Sequence, residues 1–209
     1  MTKNITNVTD NISDFNKIKH LIKVRLINKD RNVKLLEQIP YIPFLDMAII
    51  ATIEMDRGEG AIAAIKINNE LLKTWNFTLS EIMPIANRNT FKGYDFKSMA
   101  EIISEMLGEP KEEYESKVPM YVLSNKSGIN GATEICNYQT MKELAERFNS
   151  DLIVLPSSIH ETIIIPKTDE MELNTLTEMV NEVNTNSVDA EEVLSDHAYI
   201  FNRETGWEY

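Results

Sequence analysis

The sequence has almost no cysteine, and this scarcity narrows the class of protein. Its 209 residues include one cysteine, Cys136, which excludes an internal disulfide framework and a cysteine-rich zinc site. Long apolar runs are also missing, since no stretch approaches the roughly 20 residues needed to span a bilayer. The polar start "MTKNITNVTD" lacks the pattern of a signal peptide. We therefore expect a cytoplasmic protein that does not enter a membrane.

Basic residues are scarce as well, and the net charge is −12. Such a charge argues against direct binding to nucleic acid, and the aromatic residues are not interleaved with arginines as in a base-stacking platform. The charge is unevenly distributed: residues 17–34 hold seven bases and one acid, whereas residues 168–196 hold nine acids and no base. The two regions are either solvated faces that attract each other weakly or, for the acidic one, a surface that binds a basic protein partner.

Short apolar runs separated by turn residues predict β-hairpins, each followed by an amphipathic helix. The predicted hairpins are "FLDMAIIATIEM" with "AIAAIKI", "VPMYVLSN" with "GATEICN", "DLIVLP" with "ETIIIP", and "HAYIFN" with "GWEY". Because hairpins place antiparallel strands side by side, we expect an α+β fold. In this fold, an antiparallel sheet is built of hairpin-plus-helix units and the helices pack on the sheet.

The predicted helices carry recognisable ends and apolar stripes. Thr78 and Glu81 have the spacing of a capping box at a helix start. Two helices have stripes that are expected to face the core; these are Met99, Ile102, Ile103 and Met106 in one, and Leu173, Leu176, Val180 and Val183 in the other. For the domain organisation we expect a mobile arm at 1–20 and a single domain at 21–209, with an exposed connection at 108–117.

The stretch "LPSSIHETIIIP" contains the residue types of a hydrolase, with Ser157, Ser158, His160 and Glu161 close together. A strand that ends at Pro156 places both serines in the connection, where serines commonly bond their own backbone. In a returning strand, His160 and Glu161 would point to opposite faces. No glycine-rich nucleophile elbow surrounds either serine. The pattern therefore favours a turn over a catalytic site.

A second polar cluster, "SDHAY", supplies Asp196 and His197. A histidine beside an acid can shuttle protons or bind a metal, but the chain has three histidines, so a zinc site would need distant residues to converge. We expect no metal and no cofactor. The enzyme alternative is a hydrolase or metal-dependent enzyme that uses Ser158 and His160 with Asp196 or His197, and it requires the last two hairpins to be neighbours.

Six segments occur in an order that resembles an uncharacterised bacterial domain family of unknown function; they are "VRLINKDRN", "IPFLDMAII", "GEGAIAAIKINNELLKTW", "PMYVLSNKSGINGA", "DLIVLPSSIHE" and "VLSDHAYIFNRETG". The resemblance covers roughly residues 14–206 and implies an origin in anaerobic Gram-positive bacteria and their mobile elements. It also implies that the family's usual amino-terminal region is replaced here by a short polar arm. The family has no established activity, so the resemblance assigns no catalytic residues.

These observations favour a non-catalytic interaction protein over an enzyme. Its most specific form is an acidic protein from a phage or mobile element that binds and inhibits a host protein. The expected binding residues lie in the 157–161 turn and the acidic carboxy-terminal third; they are Ser157, Ser158, Glu161, Glu178, Glu182, Glu191 and Glu192. The alternatives are the enzyme described above and a small-ligand sensor with a pocket between sheet and helices.

Overall fold

A computed structural model of the chain describes residues 11–56 and 62–208, and the chain divides into two compact units, Met1–Lys92 and Gly93–Tyr209. Both units combine helices with antiparallel sheets, so the predicted α+β class is confirmed. The predicted connection at 108–117 lies within the second unit, and the single domain predicted for 21–209 stays a prediction. In the part of the chain that is described, no helix is long and apolar enough to cross a bilayer.

The first unit contains a four-stranded sheet with β3 at its centre. Its elements are α1 (Phe15–Ile18), β1 (Ile22–Asn28), α2 (Val33–Leu36), β2 (Ile42–Phe44), β3 (Met47–Asp56), β4 (Ile62–Lys66), α3 (Asn69–Trp75) and α4 (Leu79–Thr90). Strand β1 pairs with one edge of β3, while β2 and β4 pair with successive parts of the other edge. The predicted β3–β4 hairpin is confirmed, although its tip at 57–61 lies outside the described residues.

The core of the first unit lies between this sheet and the helices that follow it. Alternation in β1 places Ile22 and Val24 on the inner face, where they pack with residues of α3 and α4. The predicted capping box is confirmed, because Thr78 and Glu81 bond each other's backbone N–H groups at the start of α4. The Glu81 carboxylate accepts hydrogen bonds from the backbone N–H of Thr78 and from its hydroxyl, and both bonds lower the pKa of Glu81.

The predicted arm at 1–20 differs from the structure over its second half. Residues 1–10 lie outside the described part, whereas α1 begins at Phe15 and a 3₁₀ helix follows at Lys19–Leu21. Ile18 is buried in the core of the first unit, and the indole N–H of Trp75 donates to the carbonyl of Ile12. The packed unit therefore includes residues well before position 21.

The second unit contains a six-stranded antiparallel sheet in the order β10-β9-β7-β8-β6-β5. Its elements are β5 (Tyr94–Ser98), α5 (Met99–Leu107), β6 (Tyr121–Asn125), α6 (Tyr138–Phe148), β7 (Leu152–Leu155), β8 (Thr162–Pro166), α7 (Leu173–Ser187), β9 (Tyr199–Asn202) and β10 (Gly206–Trp207), with 3₁₀ helices at Lys111–Tyr114 and Gly131–Cys136. The hairpins β7–β8 and β9–β10 are confirmed, and they are neighbours through the β7–β9 pairing.

Three expectations for the second unit are wrong in detail. The segment "GATEICN", expected as a returning strand, forms the 3₁₀ helix Gly131–Cys136, and β6 pairs with β5 and β8 instead. Met106, expected in the core, has 79% of its surface exposed, and Val183 has 47% exposed. Both apolar stripes therefore extend past the part of each helix that the core covers.

Leu123 offers a direct test of the core of the second unit. Its side chain is fully buried in β6, between the strand partners Phe96 and Thr162. We expect Leu123→Ala to lower the free energy of unfolding by about 3 kcal/mol, because it leaves a cavity in a packed core. Urea unfolding of the full chain measures this loss. Leu107→Ala is the matched control; Leu107 is 61% exposed, and its truncation is expected to cost less than about 0.5 kcal/mol. Equal losses in the two variants would contradict this assignment of the core.

Candidate functional site

The connection between β7 and β8, residues 156–161, contains the predicted serine and histidine cluster. It runs beside the segment before β9: the Leu194 N–H donates to the carbonyl of Ser157 at 3.0 Å, and Ser158 forms an antiparallel bridge with Val193. The returning strand β8 begins only at Thr162, so His160 lies in the connection and not in a strand as expected. The structure thus brings the two polar clusters of the sequence to one side of the second sheet.

Within this connection, the Ser158 hydroxyl and the His160 imidazole have hydrogen-bond partners other than each other. The Ser158 hydroxyl oxygen accepts the backbone N–H of His160 at 3.1 Å. Nδ1 of His160 accepts the backbone N–H of Asn130 at 3.4 Å, and Nε2 lies 3.3 Å from Oε1 of Glu192. Because Nδ1 accepts, Nε2 carries the proton and donates to Glu192. Among the described residues, the imidazole therefore makes no hydrogen bond to the Ser158 hydroxyl.

Asp196 and His197 take part in a separate set of contacts. Oδ1 of Asp196 accepts from the amide of Asn184 on α7 at 2.7 Å. The backbone N–H of His197 donates to the hydroxyl of Ser195, which shares a 2.7 Å hydrogen bond with the Tyr199 hydroxyl. The His197 side chain is exposed and contacts Tyr199 edge-on. These contacts attach α7 to the segment before β9 and do not orient the imidazole of His160.

The expected binding residues differ in how far their side chains are available. Glu161, Glu178, Glu182 and Glu191 are exposed, whereas Ser157 and Glu192 are half-buried. Within residues 11–56 and 62–208, no group of three or more histidine, cysteine, aspartate and glutamate side chains could hold a metal ion. Glu161 of the turn and the exposed acids of the carboxy-terminal third are therefore the part of the predicted set that reaches solvent.

Gly131 lies where the chain packs tightly against this connection. A Cβ atom on Gly131 would lie 1.9 Å from Oγ of Ser124 and 2.5 Å from the carbonyl oxygen of His160. The next residue, Ala132, donates its N–H to the carbonyl of Ile159, and the Ser124 hydroxyl donates to the carbonyl of His160. A side chain at position 131 is thus incompatible with the way the 3₁₀ helix packs on the 156–161 connection.

Glu134 is a polar core residue that the sequence pattern did not single out. It lies in the 3₁₀ helix Gly131–Cys136, only 2% of its surface is exposed, and neither carboxyl oxygen has a hydrogen-bond partner among the described residues. Desolvation raises its pKa to about 7. Desolvation, with the nearby charge of Glu134, also raises the pKa of the Cys136 thiol well above its usual range. The thiol therefore stays protonated and is a poor nucleophile.

The close approach at Gly131 predicts a large cost for a single methyl group. We expect Gly131→Ala to lower the free energy of unfolding by at least about 2 kcal/mol, because overpacking forces the backbone to move. Chemical denaturation of the full chain measures the loss. A Gly131→Ala/Ser124→Ala double variant, compared with Ser124→Ala alone, removes the hydroxyl contact but keeps the backbone contacts. If alanine at position 131 were tolerated in both backgrounds, the close approach would be refuted.

The buried carboxyl of Glu134 predicts a pH-dependent stability. Its pKa is raised from 4.5 to about 7 on folding, so the folded state holds the proton more tightly than the unfolded state. Stability from this group is complete below pH 4.5, falls between pH 4.5 and 7, and is absent above. This 2.5-unit shift corresponds to up to about 3 kcal/mol.

The Glu134→Gln variant tests this assignment, because a glutamine keeps the shape of the side chain and does not ionise. Urea unfolding at pH 5 and at pH 8 is expected to show that the wild type loses more stability with rising pH than the variant does. Glu143→Gln, on the exposed side of α6, is the control and should follow the wild type. Parallel pH profiles for wild type and Glu134→Gln would show that the carboxyl ionises freely in the fold.

The comparisons with known proteins bear on the family and not on the activity. A search of curated proteins found no match, and neither did a search of solved structures. A family model, described as "Family of unknown function (DUF5688)", matches residues 1–203 of the chain. The match confirms the resemblance to a family of unknown function, while the bacterial and mobile-element context stays a prediction. With this match over nearly its whole length, the chain belongs to the family of unknown function DUF5688.

Proposed function

We propose that this protein is a non-catalytic interaction protein whose helix α7 binds a basic protein partner. The observation that carries the proposal is the outer side of α7, where the apolar Met179 and Val183 lie next to the acidic Glu178 and Glu182. Met179 is 55% exposed and Val183 is 47% exposed. Exposed apolar side chains can anchor a partner, and the charges around them can steer its approach.

The inner side of α7 explains why this outer side faces solvent. Val180 packs in the core of the second unit, and the Asn184 amide donates to the carbonyl of Ser195. Thr177 accepts the N–H of Ala198 through its hydroxyl, and the Asn181 amide donates to the carbonyl of Asp196. The helix is therefore held to the sheet through one face. A residue four positions from Met179, such as Val183, extends the same exposed flank.

The charge of this surface indicates the partner class. Residues 168–196 contain nine acids and no base, and within the described residues Glu178, Glu182 and Glu191 form no salt bridge. This surface would attract a basic partner, because its carboxylates are not neutralised by basic side chains of the same segment. Following the composition and the family, the most specific form of the proposal is a phage or mobile-element protein that binds and inhibits a host protein.

The enzyme alternative receives less support from the same geometry. A serine hydrolase of the triad type needs an imidazole nitrogen that can take the proton of its serine. Here one ring nitrogen of His160 accepts the N–H of Asn130 and the other faces Glu192. The Ser158 hydroxyl in turn accepts a backbone N–H. Residues 156–161 thus have the hydrogen bonding of a structural connection.

Photo-crosslinking from α7 tests the proposal. A photoreactive side chain at position 183, in the full chain, is irradiated in a host-like lysate at low and at moderate salt, and adducts are identified by mass spectrometry. We expect one reproducible adduct with a basic protein, lost in a Glu178→Gln/Glu182→Gln background. The control background is Glu112→Gln/Glu113→Gln, which changes the net charge equally at two exposed acids.

Once the crosslinked partner is identified, binding kinetics distinguish the contribution of the acidic side chains from that of the apolar ones. Removing Glu178 and Glu182 is expected to slow association and weaken its salt dependence, whereas Met179→Ser/Val183→Ser should speed dissociation. The control variant should bind as the wild type does. Crosslinks that are absent, or that persist unchanged in the Glu178→Gln/Glu182→Gln background, would contradict the proposed surface.

A further inference from the structure

A cleft of about 320 Å³ opens beside helix α5, away from every residue discussed so far as a candidate site. One wall is the first half of α5, and the other is the segment 111–121, which enters β6. Seven of its eleven lining residues are apolar or aromatic; they are Met99, Ala100, Ile103, Tyr114, Pro119, Met120 and Tyr121. A volume of this size is at the lower end of those that hold small ligands, and apolar side chains combined with a few polar groups are typical of such sites.

The polar groups of the cleft are few, and most of them can donate a hydrogen bond. Lys111 is the one cationic side chain in the lining, and it is exposed. Among the described residues, its ammonium group has no hydrogen bond or ion pair. The hydroxyl oxygens of Ser98 and Ser116 each accept a backbone N–H, which leaves both O–H groups to donate. Glu115 is the one acid.

The apolar wall continues past the cleft along α5. Ile103 and Leu107 are four residues apart and so lie on one flank of the helix, and Leu107 is 61% exposed. Ile103 lines the cleft, whereas Leu107 lies one turn further along. An apolar chain longer than the cleft would therefore find a further contact. Such a chain would cover part of the exposed Leu107 side chain, which the core leaves uncovered.

We propose that this cleft binds a small molecule with an apolar chain and a carboxylate group. The chain lies against Met99, Ile103 and Met120, and the carboxylate pairs with the ammonium of Lys111 and accepts from the serine hydroxyls. A charge-assisted hydrogen bond of this kind is stronger than a neutral one. This site is independent of the α7 surface, so either can be disproved without the other.

Octanoate is the probe, because it combines a carboxylate with an eight-carbon chain and stays monomeric at the concentrations needed. Methionine methyl groups report on the place of binding, because Met99 and Met120 line the cleft while Met47 is buried in the first unit. With ¹³C-methyl methionine in the full chain, saturable octanoate binding is expected to shift the Met99 and Met120 signals and to leave Met47 unchanged. Met99→Leu and Met120→Leu assign the two signals.

The head group is tested with variants and with analogues of equal chain length. Lys111→Gln is expected to weaken octanoate binding by about tenfold, whereas Lys117→Gln, an exposed lysine outside the lining, should leave it unchanged. The wild type should bind octanol more weakly than octanoate. The Lys111→Gln variant should bind the two compounds equally. Each of four results would overturn the proposal: no saturable shift, shifts spread over both units, equal binding by the two lysine variants, or tighter binding of octylamine, which would assign the head-group contact to Glu115.

Discussion

The contact between Gly131 and the carbonyl of His160 is the constraint on which the candidate region depends. It allows the 3₁₀ helix Gly131–Cys136 to lie directly on the connection 156–161, where Ala132 donates to Ile159. The other side of the connection is held by the segment before β9, since Ile159 donates to the carbonyl of Glu192. A loop held by backbone hydrogen bonds from both sides has its polar groups satisfied within the fold. Within this loop, the Ser158 hydroxyl and Nδ1 of His160 each accept a backbone N–H.

This constraint also explains how far the sequence could predict the fold. Local signals were sufficient for β1, the capping box at Thr78 and the β7–β8 hairpin, because alternation, capping chemistry and turn residues are all read within a few positions. The strand predicted for "GATEIC" is wrong because the conformation of this segment is fixed by a contact with residue 160, almost thirty positions away. Nothing local to a short apolar run distinguishes a strand from a 3₁₀ helix in that case.

The candidate site was predictable only in its composition. The sequence indicated a turn at Ser158 but a returning strand at His160, and it carried no sign that Asn130 and Glu192 would bond the imidazole. Amphipathic periodicity shows which side of a helix is apolar, not how much of that side the core will cover. For this reason, periodicity predicts Met106 and Val183 in the core, whereas both side chains are exposed on α5 and α7.

Residues 168–196 contain no base, and this limits how α7 can be attached to the rest of the second unit. A helix in such a segment has no lysine or arginine of its own with which to form i,i+4 ion pairs. The structure instead uses amide donors: Asn181 and Asn184 donate to carbonyls of the segment before β9, and Asn184 also donates to the Asp196 carboxylate. None of these bonds involves the carboxylates of Glu178 or Glu182. The negative charge of Glu178 and Glu182 is therefore exposed at the surface of α7, where salt screens it like any exposed charge.

Glu134 shows the opposite treatment of an acid within the same unit. Its carboxyl is enclosed in the 3₁₀ helix that packs on the 156–161 connection, without a cation or a hydrogen-bond donor among the described residues. An ionised carboxylate without partners is costly in such surroundings, so the proton stays on until the pH approaches 7. Ionisation at higher pH would place an unpaired charge in the core of the second unit. The stability of this unit is thereby coupled to the protonation of one buried side chain. Exposed and buried acids thus contribute differently to this unit. Glu178 and Glu182 give its surface a negative charge, whereas the neutral Glu134 contributes to the stability of its core.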